Sequence, residues 1–292
     1  MTNHLKGLLM TIFAVVILSP DSVLIRLVED ASSAVDSWTV LFWRGLLYAV
    51  GVSLLVLIKY RSKTIAEFKN IGKGGLVIGL CSGISTGTFV FAIVYTSIAN
   101  ALVIISTGPI MIAIVAWFLL KEKSSLITWA SMIIIFIGIY IVMSGSFGGK
   151  NIVGDFFALI TAVMMGFTFT LTRKYKDINM VPVNAIGGLI AALIAFLMAN
   201  KITVPAEVVG HIIAMGAILS ISFSLITIAP RYMPAAEVGM IMPLETVLGS
   251  LIAWYWIKEV PSSNAIIGGT IVIITLFLHS WYSTRLANNQ LN

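Results

Sequence analysis

The chain has 292 residues, of which 59% are hydrophobic and only 10% charged. A soluble domain carries about 25% charged residues, so this chain cannot coat itself with polar surface, and it reads as an integral membrane protein. Its single cysteine, Cys81, excludes an intramolecular disulfide framework, and its net charge of +6 has a simpler source than nucleic-acid binding in the loops described below.

A bilayer crossing takes about 20 apolar residues. In chain order the stretches that meet this need are 7–27, 38–58, 74–95, 98–120, 126–145, 152–172, 182–200, 209–230, 236–257 and 265–283, here spans 1 to 10. Span 1 contains Pro20 and Asp21 and lacks a small-residue cleavage site, so it is read as a helix and not as a signal peptide. The connections are mostly short and carry Pro, Gly, Ser or charge, and no soluble domain is left over. With the N-terminus inside, thirteen of the 18 Lys and Arg fall on the cytoplasmic side. Arg26, Lys150, Lys201 and Lys258 fall outside, and Arg44 lies within span 2. The positive-inside rule therefore predicts both termini in the cytoplasm. This topology, together with anionic lipid headgroups, accounts for the basic balance. Nucleic acid is not an expected partner.

The chain writes one of its stretches twice. Residues 95–125 slide onto 232–262 by 137 positions, matching Tyr95 with Tyr232, Ala99 with Ala236, Trp117 with Trp254, Lys121 with Lys258 and Glu122 with Glu259. Span 1 matches span 6 with a shift of 147, pairing Gly7 with Gly154, Arg26 with Arg173 and Asp30 with Asp177. Five spans per copy is an odd number, so the halves, 1–147 and 148–292, must lie upside down to each other. Inverted repeats are how many secondary transporters make two nearly equivalent conformations, one open to each side. The predicted fold is all-α, ten transmembrane helices in two inverted five-helix repeats.

Two such repeats, with LFWRGLL at 41–47, a span 4 ending in LLKE at 119–122, and LETVLGSLIAW at 244–254 followed by IKE at 257–259, resemble the bacterial drug/metabolite transporter superfamily, in particular its EamA-like ten-helix branch. The resemblance covers essentially the whole chain. It implies a carrier, often an exporter of amino acids, other metabolites or toxic compounds. It also implies a central cavity lined by spans 1–4 and 6–9, with spans 5 and 10 peripheral. One departure stands out: Phe167 in span 6 occupies the position of Pro20 in span 1, and no acid matches Asp21.

Ionisable residues inside a membrane are costly, and each is a functional candidate. Asp21 and Arg44 each lie six residues, about 9 Å along a helix, from the outer ends of adjacent antiparallel spans, so they are placed to pair. Such a pair is either a structural bridge or a site where substrate or a proton competes. Glu245 lies near the middle of span 9, one turn from Pro243, and is a candidate for proton coupling or for binding a substrate amine. Glu122 and Glu259 lie at span ends beside lysines and read as interfacial caps or gate contacts. Pro109 and Pro243 interrupt corresponding spans, the pattern of a binding region or hinge. Trp43, Tyr48 and Tyr95 lie near Arg44 and are candidates to face an organic substrate. The stripe Gly75, Gly79, Gly83 and Gly87 permits close helix contact. There is no metal-ligand set and no phosphate-binding Gly-Lys-Ser/Thr loop, so neither a cofactor nor enzymatic activity is expected.

The expectation is a secondary carrier in a bacterial inner membrane. It would work by alternating access on a small metabolite, an amino acid or related zwitterion, in the direction of efflux, with protons as a candidate coupling ion. The alternatives are an exporter of cationic or amphipathic toxic compounds and a non-transporting partner in translocation of a lipid-linked intermediate. Substrate identity, import or export, and oligomeric state are open at this level.

Overall fold

The computed structural model describes residues 3–31, 35–121, 126–145, 151–175, 177–229, 232, 238 and 241–289, and all regular structure among them is helical. Span 1 is split into α1 (Asn3–Leu18) and α2 (Asp21–Asp30), and span 2 is α3 (Ser37–Tyr60). A 3₁₀ turn and the short α4 (Thr64–Asn70) lead to span 3, α5 (Gly72–Tyr95). Span 4 is split into α6 (Ile98–Ile105) and α7 (Gly108–Leu120), and span 5 is α8 (Leu126–Ser144). The second half follows with α9 (Asn151–Lys174), α10 (Val181–Met198), α11 (Ala206–Ile228), α12 (Leu244–Ile257) and α13 (Ser263–Asn289).

Seven of the described helical stretches are long and apolar enough to cross a membrane, and they cover spans 1–4 and 6–8. Spans 5, 9 and 10 are represented by shorter apolar helices within the described residues, Trp129–Ser144, Leu244–Ile257 and Ser263–His279.

The breaks fall where the backbone chemistry demands them. Pro20 lacks an N–H and stands between α1 and α2, where the Ser19 hydroxyl donates back to the Val15 carbonyl at 2.8 Å. Between α6 and α7, Ser106 and Thr107 donate to the carbonyls of Val103 and Ile104 at 2.7 and 2.6 Å. Pro109 then occupies the first turn of α7, where a missing N–H costs nothing. α12 begins directly after Pro243. By contrast α9 runs unbroken through Phe167, the residue that stands where span 1 has Pro20. The chemical difference read from the sequence is a difference in shape.

The halves correspond in which helices pack together and in one helix terminus. α3 packs on α10 and α8 on α13, pairs that an exchange of repeats leaves unchanged. The contact of α5 with α9 has its counterpart in α11 against α1 and α2, and that of α6 and α7 with α9 has its counterpart in α12 against α1 and α2. Lys121 and Lys258, matched by the repeat, both end their helices in the left-handed conformation, with φ of 54° and 59°. That position is usually glycine or asparagine, so its occupation by lysine in both copies is a shared structural signature.

Small residues set the tightest crossing. A Cβ added to Gly45 on α3 would lie 2.7 Å from the Gly188 carbonyl oxygen on α10, and one added to Gly188 would lie 2.7 Å from that of Gly45. The backbones therefore touch, as small-residue crossings in membranes allow. Of the glycine stripe on α5, Gly79 and Gly83 lie against α10, where an added Cβ would stand 2.6 Å from Ile186 and 2.9 Å from the Gly187 oxygen respectively. Gly188→Ala is expected to destabilise the protein by about 1–3 kcal/mol through overpacking. Gly210→Ala, at a site with nothing within 4 Å of an added carbon, is expected not to. Thermal unfolding of both variants in detergent, scored against the parent, checks this.

Candidate functional site

The breaks in spans 1 and 9 place a carboxylate at the start of a half-helix each time. Asp21 is the first residue of α2, and Glu245 lies in the first turn of α12. Unpaired N–H groups at such a terminus favour negative charge, and half-helix termini aimed at a central site are a recurring device in carriers. Both carboxylates line one cavity of about 110 Å³ among the described residues. A single water needs about 10–15 Å³ measured this way, so the space suits a small organic solute.

Arg44 reaches Asp21 from α3. Its Nη2 donates to Asp21 Oδ2 at 2.6 Å, and its Nε lies 3.4 Å from Oδ1. Both side chains are almost fully buried, at 4% and 1% exposure. The guanidinium also lies over the Phe89 ring, 5.1 Å from its centroid, a cation–π contact in a desolvated setting. Its third nitrogen, Nη1, is buried without a hydrogen-bond partner among the described residues. Leaving a charged donor unused is expensive for the protein alone.

The described lining comes from spans 1–4 and 6–9, as the resemblance implies, with none from the described residues of α8 and α13. Leu18, Ile105, Phe169, Phe223 and Met242 make most of the surface apolar. Away from the charged pole the lining is neutral and hydrogen-bonding: Ser85 on α5, Thr161, Thr168 and Thr172 on α9, Asn184 on α10 and Thr227 on α11. Thr88 and Thr161 share a hydroxyl hydrogen bond of 2.7 Å, Asn184 donates to Thr227 at 3.0 Å, and the Thr168 hydroxyl is buried without a partner among the described residues.

Of the residues expected to meet substrate, Asp21, Arg44, Tyr48 and Glu245 line this cavity, and Trp43 and Tyr95 do not. Trp43 is adjacent to Arg44 in sequence and so points elsewhere around the helix. Its indole N–H donates to the Ile202 carbonyl at 2.7 Å, fastening the segment after α10. Tyr95 is 45% exposed and stacks with Phe91 and Phe157 at centroid distances of 6.0 and 6.3 Å. Glu259 makes a cross-repeat contact, accepting the Ile98 N–H at 2.6 Å. Glu122, its repeat counterpart, lies outside the described residues. Pro109 and Pro243 mark the breaks in spans 4 and 9, which touch through Thr246 Oγ1 donating to the Leu102 carbonyl at 3.1 Å.

The neutral lining was not singled out from the sequence, although residues 161, 165, 168 and 172 recur at helical spacing on one face of α9. Asp155 was also missed. It is fully buried and accepts the Thr96 hydroxyl at 2.7 Å.

Comparison with known proteins agrees with this architecture. The model of the EamA-like transporter family matches residues 5–144 and again 152–281. An uncharacterized transporter of Clostridium kluyveri is 27% identical over 277 residues, covering 84% of each chain. An uncharacterized transporter of Methanothermobacter thermautotrophicus is 21% identical over 197 residues, 64% of this chain and 57% of its own. A solved crystal structure shares the fold, with a TM-score of 0.67 at 14% identity over 96% of this chain and 98% of its own.

The ion pair can be tested apart from any activity. Arg44→Gln or Asp21→Asn alone leaves a buried group without its partner and is expected to cost about 3–5 kcal/mol. The double variant is expected to recover much of that loss. Thermal unfolding of the four proteins in detergent decides it; strictly additive losses would mean that the two side chains are not coupled.

Proposed function

Because this chain belongs to the EamA-like transporter family, we propose that it is a secondary carrier for a small zwitterionic metabolite, an amino acid or close relative, working by alternating access. The observation that carries this reading is the gathering of Asp21, Arg44 and Glu245 around one largely apolar cavity. A substrate carboxylate competes with Asp21 for the Arg44 guanidinium in a charge-assisted hydrogen bond. The substrate ammonium turns toward Asp21 and Glu245. The neutral hydroxyl and amide lining beyond receives an uncharged side chain, because a second full charge there would have no opposite partner among the described lining residues.

Gradients of substrate or protons supply the energy, with Asp21 and Glu245 as the groups able to exchange a proton. The proposed direction is efflux across a bacterial inner membrane, and the distribution of lysine and arginine supports a placement with both termini cytoplasmic. One observation favours a second reading. The cavity holds two carboxyl groups against one guanidinium, a balance that also suits an organic cation.

Solute counterflow with purified protein in liposomes tests both readings, using labelled amino acids, amines and nucleosides. Exchange of neutral amino acids is expected, lowered at least about tenfold in Asp21→Asn, Glu245→Gln and Arg44→Gln, as loss of a hydrogen bond to a charged group implies. Exchange confined to amines, with Arg44→Gln unimpaired, would replace the zwitterion by a cation. Undiminished, still pH-dependent exchange in both carboxylate variants would remove Asp21 and Glu245 from the mechanism.

A further inference from the structure

We propose that Arg26, Asp155 and Glu259 form a latch that clasps the two repeats together at one end of the bundle, and that its release opens the cavity to that side. The inference rests on the carrier reading and adds to it which end is sealed and by which bonds.

The clasped element is the corner between α5 and α6, in the first repeat. Arg26, also of the first repeat, stiffens it: Nη2 donates to the Thr96 carbonyl at 2.6 Å and Nη1 to that of Val94 at 3.3 Å. The second repeat then grips it at two points. Thr96 Oγ1 donates to Asp155 Oδ1 at 2.7 Å, and the Ile98 N–H donates to Glu259 Oε1 at 2.6 Å. Ile98 opens α6, so Glu259 also sits at a helix N-terminus, where its charge is favoured. The other oxygen of Glu259 lies 3.8 Å from Arg26 Nη2, which ties the grip to the stiffener. Gly154 at the start of α9 presses so closely on the corner that an added Cβ would run into the backbone of Tyr95 and Thr96.

Position makes this cluster a seal. Arg26 lies five residues beyond Asp21 on α2, about 7.5 Å further toward the end of the bundle. On α3 the cavity stops at Arg44, seven residues or about 10 Å short of Ser37 at that same end. At the opposite end it reaches Met180, the residue that precedes α10. The Glu259 end is thus cross-bonded beyond the cavity, and at the Met180 end, where the cavity comes closest along α10, the repeats are joined by Asn179 Nδ2 donating to Glu67 Oε2 at 2.6 Å. Arg26 and Glu259 retain 19% and 23% side-chain exposure, so water can take over their bonds when the repeats separate. The grip itself is made between repeats, and a rocking motion of one half on the other must break it.

The test uses the full chain in vesicles of defined orientation, with Cys81→Ser and the cavity-lining reporter Ser85→Cys. A membrane-impermeant maleimide is applied from each side, and a separate reporter, Val260→Cys at an exposed site, marks the side bearing Glu259. Glu259→Ala and Arg26→Gln are expected to raise Ser85→Cys labelling from the Glu259 side at least about tenfold, the population shift of one lost hydrogen bond to a charged group. Labelling from the opposite side should fall in step. Glu259→Gln keeps an acceptor for Ile98 and should give a smaller rise. Unchanged labelling from the Glu259 side would overturn the latch, and so would an equal rise from both sides, which marks a loosened fold. No substrate is needed for the readout. A wrong carrier reading would show separately, as absent counterflow for every solute with the labelling response intact.

Discussion

In hydrocarbon, each peptide group must find its hydrogen bonds within the protein or lose several kcal/mol. A broken helix is therefore tolerated at membrane depth only where other groups take up what the break releases, or where it faces a cavity. Here the breaks at Ser19–Pro20, at Ser106–Thr107 and before Pro243 meet this constraint in both ways. Serine and threonine hydroxyls return to carbonyls within the preceding turn. The same breaks expose helix starts, and two of those starts carry Asp21 and Glu245 at the cavity. Interruption, carboxylate and cavity are consequences of one backbone constraint.

The Asp21–Arg44 pair has no counterpart in the second repeat, and the packing accounts for what stands there instead. The aligned segment of α10, residues 185–188, is small or apolar, and Gly188 is where α3 and α10 touch backbone to backbone. One side of the repeat carries the charge and the other the smooth surface on which its helix rests. A buried ion pair contributes little net stability.

How much of this was legible in the sequence depends on which coordinate a residue pattern encodes. Depth is encoded well. Apolar length located the helices, the repeat related the halves, and the residue counts from span ends brought Asp21 and Arg44 to one level. Prolines 109 and 243 stand at observed breaks because their missing N–H acts locally. Direction around the helix is encoded poorly when every face is apolar: Trp43 and Tyr95 have suitable depth, yet one is spent on the Ile202 carbonyl and the other is half exposed. Neutral hydroxyls were passed over because threonine is common in membrane helices, where it often bonds its own backbone, as Thr227 does to Phe223. Only their convergence on one space separates Thr161 and Thr168 from the rest. Arg26 and Asp155 read as residues near span ends; their contacts depend on how the repeats dock, which no local pattern records.

The unbroken course of α9 has a further consequence. Two identical halves would make the two sides of the bundle chemically alike. Pro20 against Phe167, and Arg44 against small residues on α10, remove that likeness. The broken span 1 brings Asp21 and its partner Arg44 to the cavity, and its repeat counterpart α9 brings Thr161, Thr168 and Thr172 on one continuous helix. The polarity of the cavity is written into the difference between two helices.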